Sequence, residues 1–236
     1  MYGGYYYDPT YIVLLPAIIF ALWAQASVKS AFNKYSKIEN SLRISGADAA
    51  RRVLDANGLT DVQINVIGGG ALNNYYDPRD RTLNLSPEVY NDDSVASVAV
   101  ACHEVGHAIQ HDTGYTFLKL RNGIVPIVNF AQALTWPLII VGILLTSVSA
   151  YASLIFNLGV ICFLAVVLFH LVTLPVELNA SSRAIDQMMS NGLISDSDVA
   201  GSRRVLRAAA MTYIAALATA LANLLRILLI ANRRND

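Results

Sequence analysis

The segment His103-Glu104-Val105-Gly106-His107 holds two of the protein's four histidines and one of its four glutamates. On a helix, histidines at i and i+4 project from one face a turn apart. Both imidazoles can then ligate one Zn²⁺, while the intervening glutamate stands beside a water at that metal and can take its proton. At this composition the pattern arises by chance in ~1 of 1,000 such sequences, so the spacing is read as chemistry. Val98 to Cys102, just before it, are apolar or small, which makes a buried helix of this segment. A catalytic zinc takes three protein ligands and leaves one position open. His111 would lie ~12 Å along the helix from His103, too far to share its metal. The third ligand is expected at Glu177, the first charged residue after residues 122–176, which contain no Asp, Glu, Lys or Arg. Tyr76, His111 and Tyr115 are the candidates for contact with a substrate or its oxyanion. His170 is read as a packing histidine within the uncharged stretch.

The elements that must position these residues are set by an apolar composition. Of 236 residues, 55% are hydrophobic and 14% charged, with a mean hydropathy of +0.45, too apolar for an ordinary soluble domain. Seventeen basic and seventeen acidic residues cancel, so no basic field exists to recruit nucleic acid. Cys102 and Cys162 do not form a disulfide framework and read as small buried hydrophobes. The uncharged stretch is long enough to cross a bilayer twice, as a helical hairpin with arms from Ile124 to Ser147 and from Tyr151 to Leu174, and with Ser147, Ser149 and Ser153 near its turn. A first span is expected from Tyr11 to Ala26, and a last one from Ala208 to Ile230, rich in alanine and carrying Arg226 near its end.

Ten of the seventeen basic residues fall in residues 27–122 and four in 175–207, which places both segments on the cytoplasmic side and the N-terminus outside. Arg233 and Arg234 oppose this if the last helix crosses. Ala24-Gln25-Ala26 has the form of a signal-peptide cleavage site, but Met1 to Asp8 is aromatic and acidic where a basic segment would stand, so a retained span is expected.

Between the spans the pattern predicts a basic helix from Ala31 to Leu42, a short amphipathic helix from Ala47 to Asn57, a strand from Val62 to Ile67 broken by Gly68-Gly69-Gly70, and a second strand from Thr82 to Leu85. Ser86-Pro87-Glu88 and Asp92-Asp93-Ser94 are helix starts, the second opening the helix from Val95 to about His111. The organisation expected is therefore 1–27 as an N-terminal span, 28–122 as a soluble domain, 123–175 as the hairpin, 176–207 as a cytoplasmic helical segment carrying the third ligand, and 208–236 as a C-terminal transmembrane helix and tail.

An ordered set of segments resembles the YugP-like neutral zinc metallopeptidases of prokaryotic membranes: Asp8-Pro9-Thr10, Tyr76-Asp77-Pro78-Arg79, Leu85-Ser86-Pro87-Glu88-Val89-Tyr90, His103 through His111, Leu174-Pro175-Val176-Glu177 and Val205 through Tyr213. Placing a hairpin between the histidine pair and the glutamate is also similar to the HtpX-type membrane proteases, although Ser181 stands where those carry an acidic residue, and Asn179 where the YugP-like pattern has Asp. The resemblance implies a mainly α, multi-pass membrane protein with a small α+β zincin-like catalytic domain. It implies one Zn²⁺ on His103, His107 and Glu177, with Glu104 as general base for hydrolysis of peptides or membrane proteins. The residues leave a second reading, a non-catalytic zinc-stabilised scaffold or adaptor in the lipid bilayer. The two separate at Glu104, which a structural site does not require.

Overall fold

The computed structural model describes residues 9–146 and 150–235, with side chains for 10–146 and 150–232. Met1–Asp8, Ser147, Ser149 and the side chains of Arg233 and Arg234 lie outside the described residues. The elements run from a 3-10 turn, Pro9–Leu14, through α1 (Leu15–Tyr35), α2 (Gly46–Ala56), β1 (Gln63–Val66), β2 (Tyr75–Asp77), β3 (Thr82–Leu85), α3 (Pro87–Asn91), α4 (Val95–Asp112), α5 (Thr116–Leu144), α6 (Ala152–Ser190) and α7 (Asp196–Asn235). Among the described residues the chain is mainly helical, with one small sheet, and four helices are long and apolar enough to cross a membrane: Thr10–Tyr35, Thr116–Leu144, Ala152–Ser190 and Asp196–Asn232.

Several elements are longer than their patterns predict. The first span and the basic helix after it are one helix, α1, because no glycine or proline falls between Ala17 and Tyr35 to stop it. α6 passes through Pro175 and carries Glu177 and Ser181 on the same continuous helix as His170. The last helix begins at Asp196 rather than Ala208, with Asp196 and Asp198 in its first turn, where carboxylates favour the positive end of the helix dipole.

The chain divides into two compact units, Met1–Trp23 with Arg121–Val172 and Ile214–Asp236, and Ala24–Leu120 with Thr173–Tyr213. In the first unit, Ile139, Phe156, Phe163, Val167, Ala220 and Ile227 form the buried cluster. Large apolar side chains such as Ile19, Leu22, Ile127, Phe130, Ile161 and Leu225 remain exposed. A surface of that kind is unfavourable in water and suits lipid. Gly142 and Gly159 pack directly against Phe156 and Ile139, where a Cβ would approach within 2.7 and 2.8 Å. Arg226 has local partners: Nε donates to Thr10 Oγ1 at 3.2 Å, and the guanidinium lies 3.7 Å from the centre of the Tyr11 ring, so this cation in an apolar helix is satisfied within the protein. His170 meets the Phe169 ring edge-on at 5.9 Å.

The second unit is built around α4. Ser94 caps it by accepting from the Ser97 N–H at 3.1 Å, and Gly114 at φ +63° follows its end. Its buried face, Val98, Ala99, Ala101, Cys102, Val105, Ala108 and Ile109, joins one core with Ala49, Ala50, Val53 and Leu54 of α2, Leu83 and Leu85 of β3, and Ala184 and Met188 of α6. Burial pushes the Cys102 thiol up to about 12, so it packs as an inert hydrophobe. α2 is held by Ser45, which accepts from the Asp48 N–H at 3.1 Å, and ends before Gly58 at φ +73°. The sheet order is β1-β3-β2. β1 runs parallel to β3, with Gln63 opposite Thr82, and β2 antiparallel to it, with Tyr76 opposite Leu83. The three-residue β2 was not expected. Its run Tyr75-Tyr76-Asp77 is too short to show alternation, and it becomes a strand by pairing with β3.

Candidate metal centre

His103 and His107 stand one turn apart on α4, with ring centres 4.9 Å apart and planes at 83°. Nε2 of each lies 3.5 Å from Glu177 Oε2 on α6. The ligand atoms of all three residues fall within 4.8 Å of one another, a separation that one cation can bridge. Glu177 is 3% exposed, and its Oε2 is buried without a hydrogen-bond partner. A buried carboxylate oxygen facing two ring nitrogens needs a proton or a cation between them. Two imidazoles and a carboxylate form a donor set that fits Zn²⁺, so the residues present fit the metal that their spacing implies.

The outer contacts orient the rings. Gln110, fully buried on α4, donates from Nε2 to the Val176 carbonyl at 2.8 Å and to Asn179 Oδ1 at 3.0 Å. Both Gln110 hydrogens are thus committed, so Oε1, 3.0 Å from His107 Nδ1, accepts. The proton of His107 is placed on Nδ1, leaving the Nε2 lone pair toward Glu177 and the second histidine. Asn179 Oδ1 also accepts from Arg183 Nε at 2.8 Å, which fixes its orientation. Ser181 Oγ lies 3.2 Å from His103 Nδ1 and serves that ring in the same way. Ser181 thus supports the His103 ring directly, while Asn179 supports His107 only through Gln110. Gln110 itself was not anticipated from the sequence. The signal was present, a polar residue three after His107 within an otherwise apolar face, but its partners lie 66 and 69 residues away. Gln110→Leu, which keeps the volume and removes the amide, is expected to weaken zinc binding by about 10- to 100-fold without loss of helix, measured by competition with a chromogenic chelator.

Gly106 explains how α4 and α6 come close enough. A Cβ there would stand 2.6 Å from the Ala180 carbonyl oxygen. Ala180 belongs to a buried stripe of α6, Val176, Ala180, Ala184 and Met188, each at most 1% exposed. This contact sits between His103 and His107 on one helix and between Glu177 and Ser181 on the other. Gly106→Ala would push the helices apart at the ligands, and zinc affinity is expected to fall by about tenfold or more, with a lower melting temperature, both readable in one thermal titration with zinc.

Glu104, 8% exposed, lies beside the triad. Burial raises its proton affinity above the usual carboxylate range, opposed by the two imidazoles and supported by the Glu177 charge, and the Tyr76 backbone N–H bonds its carboxylate. For His107, burial works against the charged ring, but the Glu177 carboxylate outweighs it and holds the imidazole pKa above its ordinary value. Of the three further candidates, Tyr76 and His111 are brought together, hydroxyl to Nδ1 at 2.9 Å, and burial raises the Tyr76 pKa. Tyr115 lies against Phe117, ring centres 5.8 Å apart, and among the described residues no contact joins it to the triad.

A helical membrane chain with two histidines and a glutamate gathered in this way belongs to a recognisable class. The chain is a member of the family described as "Putative neutral zinc metallopeptidase", whose pattern matches residues 10–232. Over 216 residues it is 46% identical to "Putative membrane protease YugP" of Bacillus subtilis (strain 168), an alignment covering 92% of this chain and 93% of that relative. No solved structure matches.

Proposed function

We propose that this protein is a membrane-embedded zinc endopeptidase in which His103, His107 and Glu177 hold one Zn²⁺ and Glu104 is the general base. The observation that carries the reading is the orphaned, buried Glu177 oxygen facing both Nε2 atoms, with a second carboxylate of raised proton affinity beside them. Zinc in such a site acidifies water and polarises a scissile carbonyl. The protein's own groups then divide the work. Glu104 takes the proton from water and delivers it to the departing amine, a task suited to a carboxyl whose proton affinity lies nearer neutrality than that of an exposed one. Gln110 and Ser181 keep the rings turned with Nε2 inward. Tyr76 is tied to Glu104 by its backbone and to His111 by its hydroxyl, and we assign this pair the contact with the developing oxyanion. The substrate is an extended segment of a peptide or membrane protein, and the basic residues of 27–122 assign the catalytic unit to the cytoplasmic face.

The family and the relative named a membrane protease support this reading. Its test is casein cleavage by the purified full-length chain in detergent. Activity should vanish with a zinc chelator and return on adding zinc. Cleavage indifferent to chelation would refute the metal's role.

A further inference from the structure

We propose that the cavity beside Glu104 is the pocket for a large apolar side chain of the substrate, next to the bond that is cut; this deepens the peptidase reading above and rests on it. The cavity measures about 450 Å³, within the range of small-ligand sites, and both His103 and Glu104 line it. Whatever fills it therefore lies against the reacting groups.

Its walls come from separate elements of the same unit. Val28 and Phe32 stand one turn apart on α1, Val100 lies one turn before His103 on α4, and Leu206 and Ala209 face in from α7. Leu72 closes it from the loop between β1 and β2. That loop is anchored: Asn74 Oδ1 accepts from the Ser86 N–H at 2.8 Å, and its Nδ2 donates to the Ala71 carbonyl at 2.8 Å.

The chemistry of the walls selects the occupant. Apolar side chains make up half of the lining; Glu104 is its sole carboxylate and is engaged by the reaction, and Lys29 stands at the same wall, so a lysine or arginine side chain would meet a like charge and no free counter-charge. A second cavity, about 430 Å³, shares Lys29, Phe32 and Leu72 with the first and extends toward Gly70 and Asn73. The two cavities adjoin along Leu72, on the loop that Gly69 turns at φ +129°. An extended peptide fits this shape, with its apolar side chain down beside Glu104 and the neighbouring chain passing Leu72. Burying a phenylalanine in place of an alanine there is worth about tenfold or more in binding.

The test has two arms on the full-length zinc-loaded protein. In the first, bonds cut in a pool of proteome-derived peptides are mapped for the unaltered chain, with Glu104→Gln as blank. The expected profile is enriched in Leu, Ile, Met or Phe beside the cut, and Ala209→Phe, which fills the cavity, shifts it at least tenfold toward Gly, Ala and Ser. A profile without apolar enrichment, or one that Ala209→Phe leaves unchanged, overturns the pocket. In the second arm, a fluorescein-labelled octapeptide with one Phe among Gly, Ser and Asn is titrated into Glu104→Gln beside its Ala counterpart. The Phe peptide should bind about tenfold tighter or more, and Leu72→Ala, which truncates a largely exposed side chain, should reduce the difference severalfold. Equal binding of the two peptides overturns the proposal even if the protein cleaves. Discrimination by binding, with no Glu104-dependent cleavage, would sustain the pocket and refute the peptidase reading alone.

Discussion

Glu177→Ala is expected to leave the purified chain with almost no zinc under conditions that saturate the unaltered protein, an affinity loss of more than about 100-fold. The carboxylate supplies the only donor from α6 and the only negative charge among the three ligand atoms. Without it, two neutral imidazoles on one helix must hold a buried dication. The fold should survive. Glu177 Oε2 is buried and without a hydrogen-bond partner, and the Glu177 charge raises the proton affinity of Glu104. Removing it relieves a desolvated group and a like-charge contact, and ends the attraction that holds the His107 pKa up. Without zinc the variant is therefore expected to melt near the parent or a few degrees below it, and zinc should raise the melting temperature of the parent alone. Metal content and paired thermal scans with and without zinc measure both halves. Full zinc occupancy in Glu177→Ala would remove that residue from the site.

Glu104→Gln is expected to do the opposite. Zinc content stays at the parent level, because Glu104 is outside the group of ligand atoms, while turnover falls by about 10²- to 10⁴-fold from loss of the general base. The amide keeps the volume and can still meet the Tyr76 backbone, so the local packing should persist. Comparing casein cleavage at equal zinc occupancy isolates the proton transfer. This variant also separates the enzyme from a zinc-stabilised scaffold, for which the substitution would be silent because no hydrolysis would exist to lose.

The histidine pair was legible because its geometry is local: one helix period joins His103 to His107, and the apolar residues before them, with Ser94 as cap, announce the helix. Glu177 could be reached across the 69 positions after His107 only because residues 122–176 are uncharged and it ends them. The two strand segments around Ile64 and Leu83 were readable from alternation, whereas β2 exists by virtue of a partner that its own residues do not specify. The roles of Gln110 and Gly106 likewise depend on distant partners. The amide of Gln110 matters because Val176 and Asn179 lie opposite it, and the missing Cβ of Gly106 matters because the Ala180 carbonyl occupies its place. The second hairpin arm was expected to end at Leu174, just before Pro175. Instead α6 continues through it, since a helix can lose one hydrogen bond and bend without stopping when its flanks are packed, as Val176 and Ala180 are. Helix lengths were underestimated wherever charged and apolar stretches lie on a single helix, because hydropathy marks the solvent and not the backbone.

X-ray absorption at the zinc edge of the zinc-loaded, full-length protein tests the central claim most directly. The expected result is a shell of nitrogen and oxygen donors at about 2.0–2.2 Å, with the multiple scattering of two imidazoles and no sulfur, and loss of the carboxylate contribution in Glu177→Ala. A sulfur donor near 2.3 Å, which would implicate Cys102, or a third imidazole in place of the carboxylate would contradict it.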